Sequence, residues 1–506
     1  MNELDHPSET PSKSSERFPA PVYAETVLAV NFEDAKKYFL GALLEIHSAH
    51  TLMLARQNII ATADARLCLE AIARLDRPKI LATRYEGRSE DLFFHVQELL
   101  TQACGEDVAG KIHTARSRND IDLTMYRMCL RREILRIAEE TADARQVLID
   151  LAASHVGTIM PAYTHTQPAQ PTTLAHYLLA AIEFLGRDIQ RLRAAFATIN
   201  RNPLGACAIT TTGFPIDRDY TARLLGFEGL QVNSYGAIAA IDYLLEAASA
   251  VAVLTLSLGK LVQDLLLWCT EEFGFLRLSD AYIQISSVMP QKRNPVALEH
   301  VRILASKAFS QAQAVLSCAH NTPFGDIVDS EDDLQPMAFS MCADAVRALR
   351  LFSGTMSHAE VDRERMRFRA RGSFLCVTEL ADTLVREEGI SFRTAHHLVG
   401  AAVRAVGREY SPERVVTAMK GLAAEMLGRE LNKPREVWMR ALDPDHFISI
   451  RKIPGGPALE AVQPQIATAR KEQAEAQEWR DARRSLLERY PQLIRTDTEV
   501  LNNAPP

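Results

Sequence analysis

Apolar residues recur at three- and four-residue steps along most of this chain, and the strict alternation of a half-buried strand is scarce. The pattern predicts an all-α protein. Its strongest run is Ile238 to Phe273, where Val251, Leu254, Leu258, Leu261, Val262 and Leu265 repeat at helical spacing and no proline interrupts. A helix of about 35 residues would be about 50 Å long. It is apolar almost all round, so it must be covered on most sides, by a thick bundle within one chain or by partner subunits. Gly259 is its weak point, costing about 1 kcal/mol relative to Ala, and a close helix–helix contact there would explain it. Similar patterns occupy residues 134–157, 171–199, 296–319 and 336–354. Pro168 and Pro171 sit at the start of the second of these and Pro295 just before the third, where helix starts tolerate proline.

These runs divide the chain into an N-terminal helical domain over 21–112, a central long-helix bundle over 113–366 and a C-terminal helical domain over 367–506. The second boundary follows the Arg-rich segment Arg363–Arg367, ahead of Gly372. Residues 1–20 carry Pro, Ser, Glu and Lys with no apolar core, which reads as a disordered tail and not as a secretory signal. The 506 residues suffice for more than one domain. A net charge of −7 supplies no basic footprint for nucleic acid, so an anionic substrate must be held by local cations. Eight scattered cysteines form no CxxC pair and no metal-finger spacing, as expected of a reduced, cytoplasmic protein without a metal or organic cofactor. The thirteen uncharged residues from Ala247 to Gly259 are too few to span a bilayer, so a buried helix and no membrane partner are expected.

Polar islands interrupt the helical pattern at three places. The first is His113-Thr114-Ala115-Arg116-Ser117-Arg118-Asn119-Asp120. The second is Thr164-His165-Thr166-Gln167-Pro168-Ala169-Gln170. The third is Ser286-Ser287-Val288-Met289-Pro290-Gln291-Lys292-Arg293-Asn294-Pro295, where the prolines forbid a regular helix. Taken singly, Arg116 and Arg118 read as helix-end surface charge, His165 as a structural histidine and the third run as a proline-closed loop. Taken together they supply cations, hydroxyls, amides and an imidazole, a set suited to holding a dicarboxylate.

In order and spacing the three islands resemble the three shared regions of the aspartase/fumarase superfamily. Flanking segments narrow the resemblance to its argininosuccinate lyase branch: Tyr163 through Pro171, Asn202-Pro203-Leu204-Gly205 with Phe214–Arg218, His47–His50, Glu90-Asp91-Leu92 and Leu380–His396. The likeness covers about residues 30–460. It implies a bundle whose central helices form a multi-subunit core, and a homotetramer with composite active sites. It also implies β-elimination releasing fumarate, with Ser287 as base on a closing loop. Lys292 and Asn294, with Ser286, would bind carboxylate and steady the aci-carboxylate intermediate. Ser117, Arg118, Asn119 and Thr164 would hold the fumarate half, and His165 would assist proton handling. The physics agrees: proton removal beside a carboxylate creates a dianion that fixed cations stabilise more than they stabilise substrate, and a serine base needs nearby positive charge and exclusion of water.

Two segments depart from the branch. After Asn233-Ser234 the usual charged run reads Tyr235-Gly236-Ala237-Ile238-Ala239-Ala240-Ile241-Asp242. In Pro323–Leu334, the places where the branch sets Tyr, Gln and Lys against the leaving amino acid hold Asp326, Glu331 and Leu334. The fumarate-making half is thus kept while the amine half is changed. The expected activity is a C–N lyase acting on an N-succinyl amine or an aminopolycarboxylate such as ethylenediamine-disuccinate, whose lyase lies in this branch. The alternatives are an authentic argininosuccinate lyase and, further off, a non-catalytic structural homologue or a helical scaffold.

Overall fold

The computed structural model describes residues 18–503, so the tail expected over 1–20 lies, up to residue 17, outside the described residues. Long helices dominate: α1 (Leu40–Arg56), α2 (Arg118–Ser154), α3 (Leu174–Ile199), α4 (Asp242–Trp268), α5 (Val296–Ala319) and α6 (Gln335–Met356). α2 packs along α3, α4 along α5 and α5 along α6, so the bundle is antiparallel neighbours in series. A smaller unit holds α7 (Val377–Glu388), α8 (Phe392–Val406) and α9 (Pro412–Leu427). It has its own core, which takes in Ile159 and residues from Ala370 to Ile448, among them the fully buried Trp438.

The last helix, α10 (Leu459–Asn503), was grouped by sequence with the C-terminal domain, yet it packs back along the bundle. Val462, Ile466, Tyr490 and Ile494 join the main core, not the second one. Polar ties line the same helix: Arg145 donates to Ala469 O at 3.0 Å, Tyr490 Oη donates to Glu45 at 2.6 Å, and Asp497 accepts from Tyr220 and Arg223, both at 2.8 Å.

The run predicted as one helix over 238–273 is broken. Asn233 caps a short helix, Ser234–Ala239, by accepting from Gly236 N at 3.0 Å. Ala240 then leaves the helical region, with ψ at 116°, and α4 begins at Asp242. The break sets the Tyr243 ring 4.1 Å beneath the Arg127 guanidinium. By length and composition α4 could cross a bilayer, with a mean hydropathy of 1.7 in its most apolar window. The uncharged run of thirteen residues is thus only part of an apolar helix of 27 residues. Its packing is that of a core helix, with Leu244, Val251, Leu254, Leu258 and Val262 fully buried. Gly259 makes no close contact: a Cβ there would meet nothing within 4 Å, so within one chain this flank of α4 is open.

Pro168 and Pro171 do not start a helix. They lie in a hairpin of β1 (Ile159–Thr164) and β2 (Gln167–Thr173), with Pro161 opposite Pro171. α3 starts only at Leu174, capped by the Thr173 hydroxyl, which accepts from His176 N at 3.2 Å.

Candidate active site

The first island is built around one carboxylate. Asp120 is fully buried. Its Oδ1 accepts from Ser117 N at 2.9 Å, closing a capping box at the start of α2. Its Oδ2 accepts from Gly205 N at 2.8 Å and Cys207 N at 2.9 Å. Burial outweighs these three donors and the nearby Arg116, and pushes the Asp120 carboxyl up to about 6. Ser117 Oγ donates to Asn119 Oδ1 at 3.0 Å, and Asn119 Nδ2 donates to Ala208 O at 3.1 Å. Arg118 reaches Asp91 at 2.8 Å and Glu90 at 3.1 Å; partial burial opposes its charge, but these acids more than compensate.

Behind this row lies a buried basic layer. Arg116 Nη1 donates to His47 Nδ1 at 2.9 Å, and His50 Nε2 donates to Thr114 O at 2.8 Å. Burial lowers Arg116 to about 9. Burial, followed by Arg116, lowers His50 to about 3 and His47 well below its ordinary value. Both histidines are therefore neutral.

The second island occupies the tip of the β1–β2 hairpin. Thr164, His165 and Thr166 are exposed there, and His165 and Thr166 form the two-residue turn with φ of 49° and 62°. Glycine or asparagine usually serves such positions, so this backbone carries strain at a candidate site. The third island is a loop closed at its base by a short pairing of β3 (Gln284–Ile285) with β4 (Arg293–Asn294). The Ser286 hydroxyl accepts from Met289 N at 3.0 Å and Val288 N at 3.3 Å, which bends the loop. Arg293 anchors it to Asp280 at 2.5 Å and to Leu278 O at 2.7 Å. Ser287 and Lys292 are exposed. Lys292 and Asn294 face a cleft of about 850 Å³ that is also lined by Glu271, Arg277 and Asp362.

Each island is thus assembled locally: Ser117, Arg118 and Asn119 in one cluster, Thr164 and His165 in another, Ser286, Ser287, Lys292 and Asn294 in a third. Among the described residues no hydrogen bond joins any two of the clusters. No group of three or more His, Cys, Asp or Glu among the described residues is arranged to hold a metal ion.

Sequence reasoning missed the setting of the 323–334 segment. Tyr126 Oη donates to Asp332 Oδ1 at 2.7 Å, drawing the segment over the first turns of α2. Burial, then Asp326, pushes Glu331 up to about 8. Burial, then Asp332 and Asp91, holds Asp122 well above the carboxylate range. Arg118 is the cation facing this acidic group, while Leu334 is buried at 3% exposure. Asp120 carried a readable signal, because Ser117-x-x-Asp120 has the capping-box spacing. Asp91 was legible only as part of the Glu90-Asp91-Leu92 resemblance and Asp122 carried no signal, since only folding brings them to Asp332.

Long helices with polar clusters at their ends and a Ser-Lys-Asn loop are the arrangement that the resemblance to the fumarate-releasing lyases leads one to expect. Residues 35–310 match the lyase family, and residues 374–449 match the argininosuccinate lyase C-terminal family. The chain is 41% identical over 459 residues to argininosuccinate lyase 2 of Agrobacterium fabrum, covering 90% of this chain and 91% of that one. It is 40% identical over 454 residues to argininosuccinate lyase of Methanoculleus marisnigri, covering 90% and 92%. The crystal structure of EDDS lyase in complex with formate superposes with a TM-score of 0.83 at 31% identity, covering 94% of this chain and 97% of that one. The chain belongs to the aspartase/fumarase superfamily, in its argininosuccinate lyase-like branch. It is a carbon–nitrogen lyase that forms fumarate.

Proposed function

We propose that this lyase cleaves argininosuccinate to arginine and fumarate. The observation that carries this reading is the 41% identity, over nine-tenths of both chains, to a relative named for that reaction; the EDDS lyase match is at 31%. Ser287 removes the proton beside the carboxylate, and Lys292 and Asn294 face the charge that develops. Ser117, Arg118, Asn119 and Thr164 hold the fumarate half, and His165 handles the proton of the leaving nitrogen. The working form is a homotetramer in the cytoplasm, its sites assembled from clusters on different subunits. That no hydrogen bond joins the three clusters within one chain, among the described residues, supports this assembly.

One observation favours a second substrate. Glu331, Asp332, Asp122 and Asp91 gather beside Arg118, with Asp326 against Glu331, at the edge of the fumarate-holding cluster from which the leaving amine would extend. Such a field disfavours the carboxylate of arginine and favours an amine with extra positive charge, as in an N-succinyl diamine. Fumarate absorbance during turnover of argininosuccinate and of ethylenediamine-disuccinate decides between them. A kcat/KM at least about tenfold higher for argininosuccinate, about 1.4 kcal/mol, supports the first. The reverse ratio establishes the second, and fumarate from neither refutes both substrates.

A further inference from the structure

We infer that Asp120 is a positioning residue for the dicarboxylate-holding end of the site, acting through the Gly205–Ala208 loop on the side-chain amide of Asn119. The inference rests on the proposed reading of Ser117–Asn119 as holders of fumarate. Asp120 is fully buried, and its hydrogen bonds run to the backbone of Ser117, Gly205 and Cys207. It organises its neighbours without presenting an atom to a ligand.

The loop it grips is in an unfavourable conformation. Gly205 has φ of 92° and Cys207 has φ of 54°. A side chain at Gly205 is excluded, because its Cβ would come within 2.7 Å of Arg218 Cγ. A non-glycine residue in the left-handed region, such as Cys207, is strained and persists only where its surroundings fix it. Here the fixing is two-sided. Asp120 accepts the Gly205 and Cys207 N–H groups from within. From outside, Arg218 Nε donates to Leu204 O at 3.0 Å and Arg218 Nη2 to Gln231 O at 2.9 Å.

The clamp delivers the carbonyl of Ala208 to Asn119. Asn119 Nδ2 donates to Ala208 O at 3.1 Å, and Asn119 Oδ1 accepts from Ser117 Oγ at 3.0 Å. These two contacts decide which way the amide faces. The amide oxygen is used on Ser117 and one N–H on Ala208, which leaves the second N–H for a ligand. A dicarboxylate offers acceptors only. The opposite flip would set the amide oxygen against a carboxylate oxygen, turning an attraction into a repulsion. Release of the Ala208 carbonyl would remove that choice.

The test compares full-length wild type, Asp120→Asn, Asn119→Ala and the double variant. It reads the dissociation constant of fumarate by calorimetry, together with KM and kcat for fumarate release. Asp120→Asn keeps the volume but turns one acceptor into a donor facing backbone N–H groups. We expect fumarate affinity and KM to worsen by at least about tenfold while kcat stays within about threefold, the signature of lost uniform binding. The double variant should be no worse than Asn119→Ala, because both act through one amide. A purely structural role would lower kcat per mole of protein with KM and fumarate affinity unchanged, and that result overturns the inference, as does additivity in the double variant. Adding Cys207→Gly removes the left-handed cost, so Asp120→Asn/Cys207→Gly should recover part of the lost affinity; it also serves if Asp120→Asn alone does not fold. Wild type that binds fumarate with Asp120→Asn unchanged defeats this inference alone. Wild type that binds no fumarate defeats it together with the functional reading.

Discussion

Ser287 stands in water, with no hydrogen bond among the described residues. Its hydroxyl fills no cavity, so Ser287→Ala should leave folding intact. Loss of an activated base should cut fumarate release by more than about three decades, the upper range of acid–base assistance. A stopped assay for fumarate, with circular dichroism as the fold check, reads this directly, and near-normal turnover would assign the base elsewhere. Glu331 makes a pH-dependent prediction. Burial and Asp326 raise its pKa to about 8. The stability this shift contributes is complete below the ordinary glutamate range and is lost as pH rises through about 8. Glu331→Gln should therefore be more stable than wild type at pH about 9, by on the order of 1–2 kcal/mol after solvent screening of a half-exposed group, and the gain should shrink towards pH about 6. Urea unfolding at the two pH values checks the sign. An equal gain at both would show that the carboxylate is not strained by its neighbours.

At the scale of elements, which polar residues cluster locally was legible, and which distant ones join them was not. Ser117-Arg118-Asn119 and the Ser286–Asn294 loop could be read because each is a single run whose spacing survives folding. The acidic surroundings of Arg118 could not, because Asp91, Asp122 and Asp332 come from three separate segments. Helical period located the long helices but not their breaks. Residues 238–241 keep an apolar pattern through a point where Ala240 turns extended, since a capped restart at Asn233 outweighs propensity. Periodicity also cannot say what a helix packs against, which is why α10 was grouped with its sequence neighbours. Tyr490 tests that placement. It is fully buried, shares its hydroxyl with Glu45 and Arg132, and lies against Gly226, where a Cβ would approach its ring to 2.7 Å. Tyr490→Ala should destabilise the whole bundle by about 3 kcal/mol or more, the cost of deleting a buried aromatic ring. Tyr490→Phe should cost about 1–2 kcal/mol, for the hydrogen bond alone. Denaturant midpoints read both, and a loss under about 1 kcal/mol for Tyr490→Ala would mean that α10 does not bear on bundle stability.

At the scale of the molecule, one chain leaves its most apolar helix partly bare. Val253, Leu256 and Leu267 of α4 are 40%, 51% and 41% exposed, Ile303 of α5 is 54% exposed, and the flank at Gly259 is open. Exposed apolar side chains on central helices are costly in water, and other copies of the same helices would cover them. The three site clusters, joined by no hydrogen bond within one chain among the described residues, would then meet across that core. This arrangement makes a prediction that independent sites cannot meet. Arg118→Ala and Ser287→Ala chains should each be nearly inactive alone. Mixed after gentle dissociation and reassociation, they should recover activity, because some sites in a mixed tetramer draw the intact Arg118 from one chain and the intact Ser287 from another. If each site were built within one chain, every site in the mixture would still carry a lesion and no activity would return. Light scattering must show the tetramer in the mixture and mass spectrometry must show that it is mixed. With both satisfied, silence in the fumarate assay would place Arg118 and Ser287 in the same subunit's site.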